Sequence, residues 1–412
     1  MLFIYNTGVR LYFLAIYLAS FFNPKAKLWI NGRKNQTLLR LNGCIWFHFA
    51  SLGEFEQGRA VLEQFRLRNP SEKIVITFFS PSGYEAKKNT PLADNIYYLP
   101  LDTPSNVREF MNFLQPKVVF FTKYEYWYHF FNEIHKKNIP LYIISGIFRP
   151  KQIFFRWYGG LYRKMLGFVT RFFVQDDNSR LLLEKINVNN VTVSGDTRFD
   201  RVWANAQRPN EIDFVNEFKS GQKVFIAGST WPQDERLIAT LVNQYPDWKF
   251  IIAPHEVGEE KIKNLIGLLP GGTTARYSQL SALAGREANL RSQISDLKSI
   301  VIDNIGMLSS LYQYGDIAYI GGGFGAGIHN TLEAAAFGLP VIFGPNYSKF
   351  KEAQDLIHLQ AGFSIADEQE LKTATDRLVN NQTFCTIASE KARTYVRGHT
   401  GATTTIINYI EK

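Results

Sequence analysis

The sequence predicts an α/β protein of two doubly wound domains in series, preceded by an apolar segment. Three observations carry this. A chain of 412 residues is too long for one ordinary core. Short apolar strands alternate with helical stretches almost throughout, the pattern of a parallel sheet with helices on both faces. The alternation lapses once, between Gly195 and Gly221, in a polar stretch holding Pro209, and then restarts. The expected division is an anchor over 1–24, a first domain over 25–200, a linker over 201–220 and a second domain over 221–412.

The anchor comes first. Leu11–Phe22 reads L-Y-F-L-A-I-Y-L-A-S-F-F, and Met1–Tyr5 is apolar too, with Asn6 and Arg10 between them. The clean run is shorter than the roughly 20 residues that span a bilayer. No small-residue cleavage site marks it as a secretory signal. Lys25, Lys27, Arg33 and Lys34 follow at once, and basic residues beside an apolar segment favour the cytoplasmic face. The expectation is an interfacial or marginally spanning membrane anchor; the plainer alternative is a buried first helix.

The first domain should hold strands at Cys44–Ala50, Lys73–Phe79, Ile96–Leu99, Lys117–Thr122, Leu141–Ser145, Arg171–Val174 and Val191–Val193. The second should hold Lys223–Ala227, Lys249–Ile252, Ser299–Ile302, Ile317–Ile320 and Pro340–Phe343. The polar stretch Arg286–Lys298 reads as a surface loop or helix, and the chain is mostly helical from Glu368 to Glu411. In open sheets of this kind ligands bind at the carboxyl ends of the strands. Two such domains facing one another would make a cleft there.

Composition narrows the function. Apolar residues make up 45% and charged residues 20%, which is globular rather than disordered. A net charge of +9 suits an anionic partner: a phosphorylated substrate, an acidic membrane surface or nucleic acid. No basic run with interleaved aromatics supports nucleic acid, which is set aside. Cys44 and Cys385 have neither metal nor disulfide spacing, so a reducing compartment fits. The seven histidines form no H-x-x-x-H pair. No metal and no cofactor is expected.

The richest stretch is Gly321–Pro345, G-G-G-F-G-A-G-I-H-N-T-L-E-A-A-A-F-G-L-P-V-I-F-G-P. A strand runs into a glycine loop and a helix expected over Asn330–Phe337. Glycines let backbone approach a ligand, and a helix N-terminus attracts anions. Asn330 and Glu333, three apart, share a face, and a carboxylate there suits a ribose diol. This is the layout of a nucleotide-sugar donor site, though a Gly-rich turn occurs in many doubly wound domains. Gly228-Ser229-Thr230, Pro254-His255 and Ile305-Gly306-Met307 end other strands of the same domain and offer backbone groups along the same edge. In the first domain, His48–Glu56 reads H-F-A-S-L-G-E-F-E. Glu54 falls at a helix start, where it can serve as a general base or as a helix cap; Glu56 is its nearest rival. One carboxylate suffices for an inverting displacement. Glu125 repeats the strand-to-helix placement, and Arg198 could meet charge on a leaving phosphate or be a solvated hinge charge.

Taken in order, these motifs resemble a known family. They are H-x-x-S-L-G-E at His48–Glu54, F-S-P-S-G at Phe79–Gly83, L-P-L-D at Leu99–Asp102 and P-K-V-V-F-F-T-K-Y-E-Y-W at Pro116–Trp127. G-S-T at Gly228–Thr230, D-N-I-G-M at Asp303–Met307, G-G-G-F, H-N-T-L-E and G-L-P-V-I-F-G-P follow. The chain resembles the 3-deoxy-D-manno-octulosonic acid (Kdo) transferases of lipopolysaccharide synthesis. The resemblance implies a glycosyltransferase B-type fold and inverting transfer of Kdo from CMP-Kdo to a bisphosphorylated lipid A precursor, lipid IVA, without a metal. It implies a place at the cytoplasmic face of the bacterial inner membrane. It puts the catalytic base on Glu54 and transition-state stabilisers on Glu125 and Arg198. It puts CMP contacts on Pro254, His255, Ile305, Gly306, Met307, Asn330, Thr331, Leu332 and Glu333. This chain departs from the family pattern in Arg198 for lysine, in His255 for arginine, and in Met307 where glutamate is frequent. The alternatives are a UDP-sugar enzyme of the same fold and a non-catalytic, membrane-associated nucleotide-binding protein.

Overall fold

The computed structural model describes residues 1–283 and 290–411. It divides into two compact units, Met1–Arg201 with the segment from His399 onward, and Val202–Gly398.

Unit 1 is built on seven strands: β1 (Cys44–Phe49), β2 (Ile74–Phe78), β3 (Asn95–Tyr98), β4 (Pro116–Thr122), β5 (Leu141–Gly146), β6 (Arg171–Val174) and β7 (Val191–Val193). Their order is β3-β2-β1-β4-β5-β6-β7, parallel throughout. Helices cover both faces, so the central strands are apolar runs without alternation. All six residues of β1 are buried. Phe47 stacks on its ladder partner Phe120 with ring centroids 4.4 Å apart. The chain builds outward from β1 to β3 and then returns to lay β4 on the other side of β1. That reversal opens a crevice at the carboxyl ends of β1 and β4.

Unit 2 repeats the plan. Its strands are β8 (Lys223–Thr230), β9 (Trp248–Pro254), β10 (Thr274–Arg276), β11 (Ser299–Val301), β12 (Ile317–Ile320), β13 (Val341–Phe343) and β14 (Gly362–Ser364). The order is β10-β11-β9-β8-β12-β13-β14, again parallel, with the reversal between β8 and β12. The edge strands β10 and β14 are additions to the sequence reading. Three-residue strands without an apolar run leave no periodic trace.

Two boundaries differ from expectation. Residues 201–220 are not a bare linker: helices Thr197–Gln207 and Val215–Lys219 occupy much of the stretch, and Val202, Val215 and Phe218 are buried. The last helix, Ala402–Ile410, was assigned to the second domain but belongs to unit 1. Its Ile406 and Ile407 enter the core beneath β1 and β2, and Asp200 accepts the N–H and hydroxyl of Thr403 at 2.7 and 2.8 Å. The polar stretch 286–298 lies partly outside the described residues; from Leu290 to Asp296 it is helical.

The first helix, Leu2–Ala19, is long and apolar enough to cross a membrane, with a mean hydropathy of 1.4. One face of it nevertheless docks on unit 1. Tyr5 donates its hydroxyl to Asp102 at 2.6 Å, and Asp102 also accepts the N–H groups of His129 and Phe130. Asn6 Oδ1 accepts from His129 Nε2 at 2.7 Å. Val9 is buried and Tyr12 stacks on Phe79. Residues 5, 9 and 12 follow helical spacing, so the remaining apolar side chains point outward. In the next helix, Pro24–Asn35, the Arg33 guanidinium lies 3.6 Å from the Trp29 ring centroid. It donates to the carbonyls of Leu99 and Phe79 at 2.9 and 2.7 Å. Burial without a carboxylate partner pushes it down to about 9.

Candidate active site

The chemistry of unit 1 gathers at its β1/β4 reversal. The helix Leu52–Arg68 starts directly after β1, because Ala50 and Ser51 turn the chain in two residues. Glu54 sits in its first turn. Its Oε2 accepts the Ala50 N–H at 2.7 Å, so the capping role exists, and it occupies one of two oxygens. Burial, and then the charge of Glu125, push the Glu54 carboxyl up to about 7. The Ala50 N–H and Lys123 oppose the shift and do not cancel it.

Glu125 follows β4 on the neighbouring strand end. The Trp127 indole donates to its Oε2 at 2.8 Å. His48 Nε2 lies 3.5 Å from the same oxygen. Behind it runs a buried relay that sequence reasoning missed. Trp46 donates to Thr77 Oγ1 at 2.8 Å, and Thr77 lies 2.8 Å from His48 Nδ1. Having accepted the indole proton, the Thr77 hydroxyl has its own to give to Nδ1, which puts the imidazole proton on Nε2, toward Glu125. Burial holds His48 below its usual range against the pull of Glu125. The sequence signal was available: Trp46 and His48 are two apart on one strand, so they share a face.

Glu56, the rival base, is neutralised by Arg59, Lys87 and Arg201. It sits among cations, whereas Glu54 sits beside a second carboxylate. Arg198 opens the helix after β7, on the far side of the sheet from β1. Its Nε and one terminal nitrogen both reach Asp196 Oδ2, at 2.9 and 2.8 Å. Gln57 donates to the other oxygen of Asp196, and Thr197 donates to the Gln57 carbonyl. The turn carrying Arg198 is thereby tied to the helix that carries Glu54.

In unit 2 the β8/β12 reversal holds the glycine loop. Its glycines have a more local explanation than ligand approach. A Cβ on Gly321 would lie 2.2 Å from the Ser229 carbonyl, and one on Gly323 would lie 2.6 Å from Gly344. Gly322 has φ +89° and faces the Gly327 carbonyl. The N–H groups of Gly321, Gly322 and Gly325 bond to Gly228, Asp234 and Gly322. Asp234 is the buried hub, accepting also from Trp231 N at 2.9 Å and the Tyr319 hydroxyl at 2.7 Å. The helix beyond the loop is shorter than expected, Leu332–Ala336. Asn330 caps it, accepting the Leu332 N–H at 3.1 Å, and its amide donates to Glu333 Oε1 at 3.1 Å, so the two are joined. The Thr331 hydroxyl is buried without a partner among the described residues.

His255, after β9, is sandwiched between Trp231 and His329, with centroids 4.7 and 4.6 Å away. Trp231 donates to His329 Nε2 at 3.2 Å. Burial, and then His255, hold His329 below its usual range. Trp231 and His329 were not among the expected contacts. Ile305 is 86% exposed beside Gly306, whose φ is +100°. Met307 leads into the short helix Leu308–Leu311, which packs on Gly228 at the end of β8. Pro254 and His255 therefore stand at the end of β9 and Asn330–Glu333 follows β12, with β8 between them; the His255–His329 stack joins the two, and Ile305–Met307 leads into the helix packed on β8. Among the described residues, no group of three or more His, Cys, Asp or Glu is placed to hold a metal ion.

Comparison with known proteins shows what the chain is similar to. A family model described as 3-deoxy-D-manno-octulosonic-acid transferase (kdotransferase) matches residues 23–201, nearly the whole of unit 1 after its first helix. A 3-deoxy-D-manno-octulosonic acid transferase of Chlamydia trachomatis serovar A is 26% identical over 351 residues, covering 82% of this chain and 78% of the relative. A bifunctional glycosyltransferase/methyltransferase of Fusobacterium nucleatum is 25% identical over 381 residues. That match covers 88% of this chain and 57% of the relative's length. Among solved structures, a UDP-GlcNAc 2-epimerase from Neisseria meningitidis superposes with a TM-score of 0.60 at 14% identity, covering 89% of this chain and 99% of its own. That likeness speaks for the glycosyltransferase B-type fold alone. By its family match over residues 23–201 and its relatives, aligned along four fifths of its length, the chain is similar to the Kdo transferases, a family of glycosyltransferases.

Proposed function

We propose that this protein transfers Kdo from CMP-Kdo to a hydroxyl of a bisphosphorylated lipid A precursor, with inversion and without a metal or other cofactor. Glu54 carries the reading. A carboxyl pushed up to about 7, at the mouth of a strand reversal and beside a second carboxylate, is matched to taking a proton near neutral pH. Glu54 takes the acceptor hydroxyl's proton while the oxygen bonds to the anomeric carbon. The bond to the CMP phosphate breaks, and its electron pair leaves with the phosphate. Glu125 stabilises positive charge growing at the sugar, held in place by the indole of Trp127. Arg198, pre-set by Asp196, supplies the cation that a leaving phosphate needs.

On the donor side, His255 within its aromatic sandwich stands where the family has an arginine and offers a ring in place of a guanidinium. Pro254 and the turn Ile305-Gly306-Met307 offer backbone groups to the cytidine. The joined Asn330 and Glu333 suit the ribose hydroxyls, with Thr331 and Leu332 supplying the turn around them. The docked first helix, with exposed Arg10, Lys25 and Lys27 near its apolar face, favours a place lying in the cytoplasmic surface of the inner membrane rather than across it.

The test is transfer from CMP-Kdo to a tetra-acylated lipid A precursor by the wild type and Glu54→Gln. A loss of about a thousandfold in kcat, with CMP affinity unchanged, is the expected result. Equal rates in the two proteins would remove Glu54 from the chemistry. Competition by CMP and not by UDP separates this donor from a UDP-sugar.

A further inference from the structure

The first helix does more than touch unit 1: it forms one wall of a cavity. About 680 Å³ of space lies between it and the strand-end loops, within the size range of ligand sites, roughly 300–1,000 Å³. Ile4, Gly8 and Tyr12 line the helix side, and Trp127 and Leu161 line the other. The lining is almost wholly apolar, with one ionisable carboxylate in it, Glu125. Away from Glu125, a groove of this kind suits a hydrocarbon chain better than a phosphorylated nucleotide, because no basic side chain lines it. It fits a hydrocarbon chain whose polar end lies at Glu125.

Two features around the groove point to the same occupant. Of the twenty-four exposed large apolar side chains among the described residues, thirteen lie in the first 28 residues, including Phe3, Leu11, Leu14, Leu18 and Phe22. This face needs lipid cover, and it is continuous with the helix wall of the groove. Beside Tyr158, another lining residue, Trp157 is 90% exposed, as amphipathic aromatics are at a lipid–water boundary. The turn that presents both is fixed by Gly159, where a Cβ would lie 2.0 Å from the Ile153 carbonyl.

We propose that this groove holds one acyl chain of the lipid acceptor and thereby places the acceptor's head group against Glu125. The proposal rests on the acceptor reading above and deepens it. It makes the first helix a specificity element: the enzyme measures an acyl chain before it meets a hydroxyl.

Gly8 provides the test, because a Cβ there meets nothing within 4 Å. Gly8→Trp fills the groove from one wall and Leu161→Trp from the other. Two readouts are compared with the wild type. The first is kcat/KM for a tetra-acylated disaccharide acceptor divided by that for the same disaccharide stripped of its chains. The second is binding of cis-parinaric acid, a fluorescent fatty acid, and its displacement by the tetra-acylated acceptor. Each variant should lower the ratio and the probe affinity by about tenfold or more, the equivalent of roughly two buried methylene groups. A ratio within twofold of wild type overturns the proposal and leaves the transferase reading standing. Lost probe binding with an unchanged ratio also overturns it, since the groove would then hold some other lipid. If the wild type transfers Kdo to neither acceptor, the transferase reading fails. Displacement of the probe from wild type and not from the variants still upholds the groove.

Discussion

The two units share one topology and use its reversal differently. At β1/β4 the turn is short and the side chains beside it are ionisable: half-buried Glu54 and Glu125, which repel one another, with the buried relay through His48 behind them. At β8/β12 the turn is long, the glycines are locked backbone to backbone, and the polar groups are largely satisfied within the protein around Asp234. One reversal stores electrostatic tension and the other stores shape. Tension is what moves a proton, because a strained carboxyl is returned to comfort by accepting one. Shape is what grips a nucleotide, because a rigid cradle loses little freedom on binding.

The comparison can be broken from either side. The largest effect belongs to the tense reversal. Glu54→Gln should cost about a thousandfold in kcat, whereas His255→Ala should raise the donor KM by roughly tenfold and leave kcat within a fewfold. If His255→Ala lowers kcat as far as Glu54→Gln, the division between chemistry and grip is wrong. Next comes the hub of the rigid reversal. Asp234→Ala leaves two backbone N–H groups and the Tyr319 hydroxyl without their acceptor, and should destabilise the protein by about 3 kcal/mol in a urea titration. A change below about 1 kcal/mol would mean that the loop is held by something else.

The glycines sharpen the point at smaller scale. Gly322→Ala, at positive φ and 2.6 Å from the Gly327 carbonyl, should cost about 1–2 kcal/mol. Gly325→Ala, whose nearest neighbour would be 3.6 Å away, should be nearly neutral. Equal costs would argue that all the glycines serve the ligand. The smallest effect is in pH. Glu54 must be ionised to act as a base, so the acid limb of the rate profile should fall near pH 7 in the wild type. The Glu125 charge raises Glu54, so Glu125→Gln should move that limb to lower pH. A move to higher pH would reverse the sign of the coupling read here.

Sequence showed the plan of the molecule because both sheets are covered on two faces. Their central strands are therefore unbroken apolar runs, such as Cys44–Phe49 and Pro116–Thr122, each ending in a turn. The positions of Glu54, Glu125 and Asn330–Glu333 followed from those strand ends. What stayed hidden depended on contacts far apart in the chain. The last helix belongs to unit 1 because Asp200 caps it from two hundred residues away, which no local pattern reports. The tie of Gln57 to Asp196 behind Arg198 and the Thr77–His48 relay are likewise long-range. The glycine loop misled in part: a glycine that admits a ligand and one that admits a neighbouring backbone are the same letter. The first segment read correctly as apolar, yet the groove behind it is made jointly with Trp127 and Leu161, more than a hundred residues on.

Arg33 has a practical consequence. Its guanidinium closes the carbonyls at the ends of two strands and is itself flattened against Trp29, so residues 24–36 are a structural part of the first unit. Cutting the chain ahead of Cys44 to obtain a tractable soluble fragment would strip those carbonyls of their donor and bare the apolar surface beneath. The better route to a water-soluble version keeps the segment whole and recolours its outward face, replacing Phe3, Leu14 and Leu18 with glutamate or lysine while leaving Tyr5, Val9, Tyr12 and Arg33 untouched.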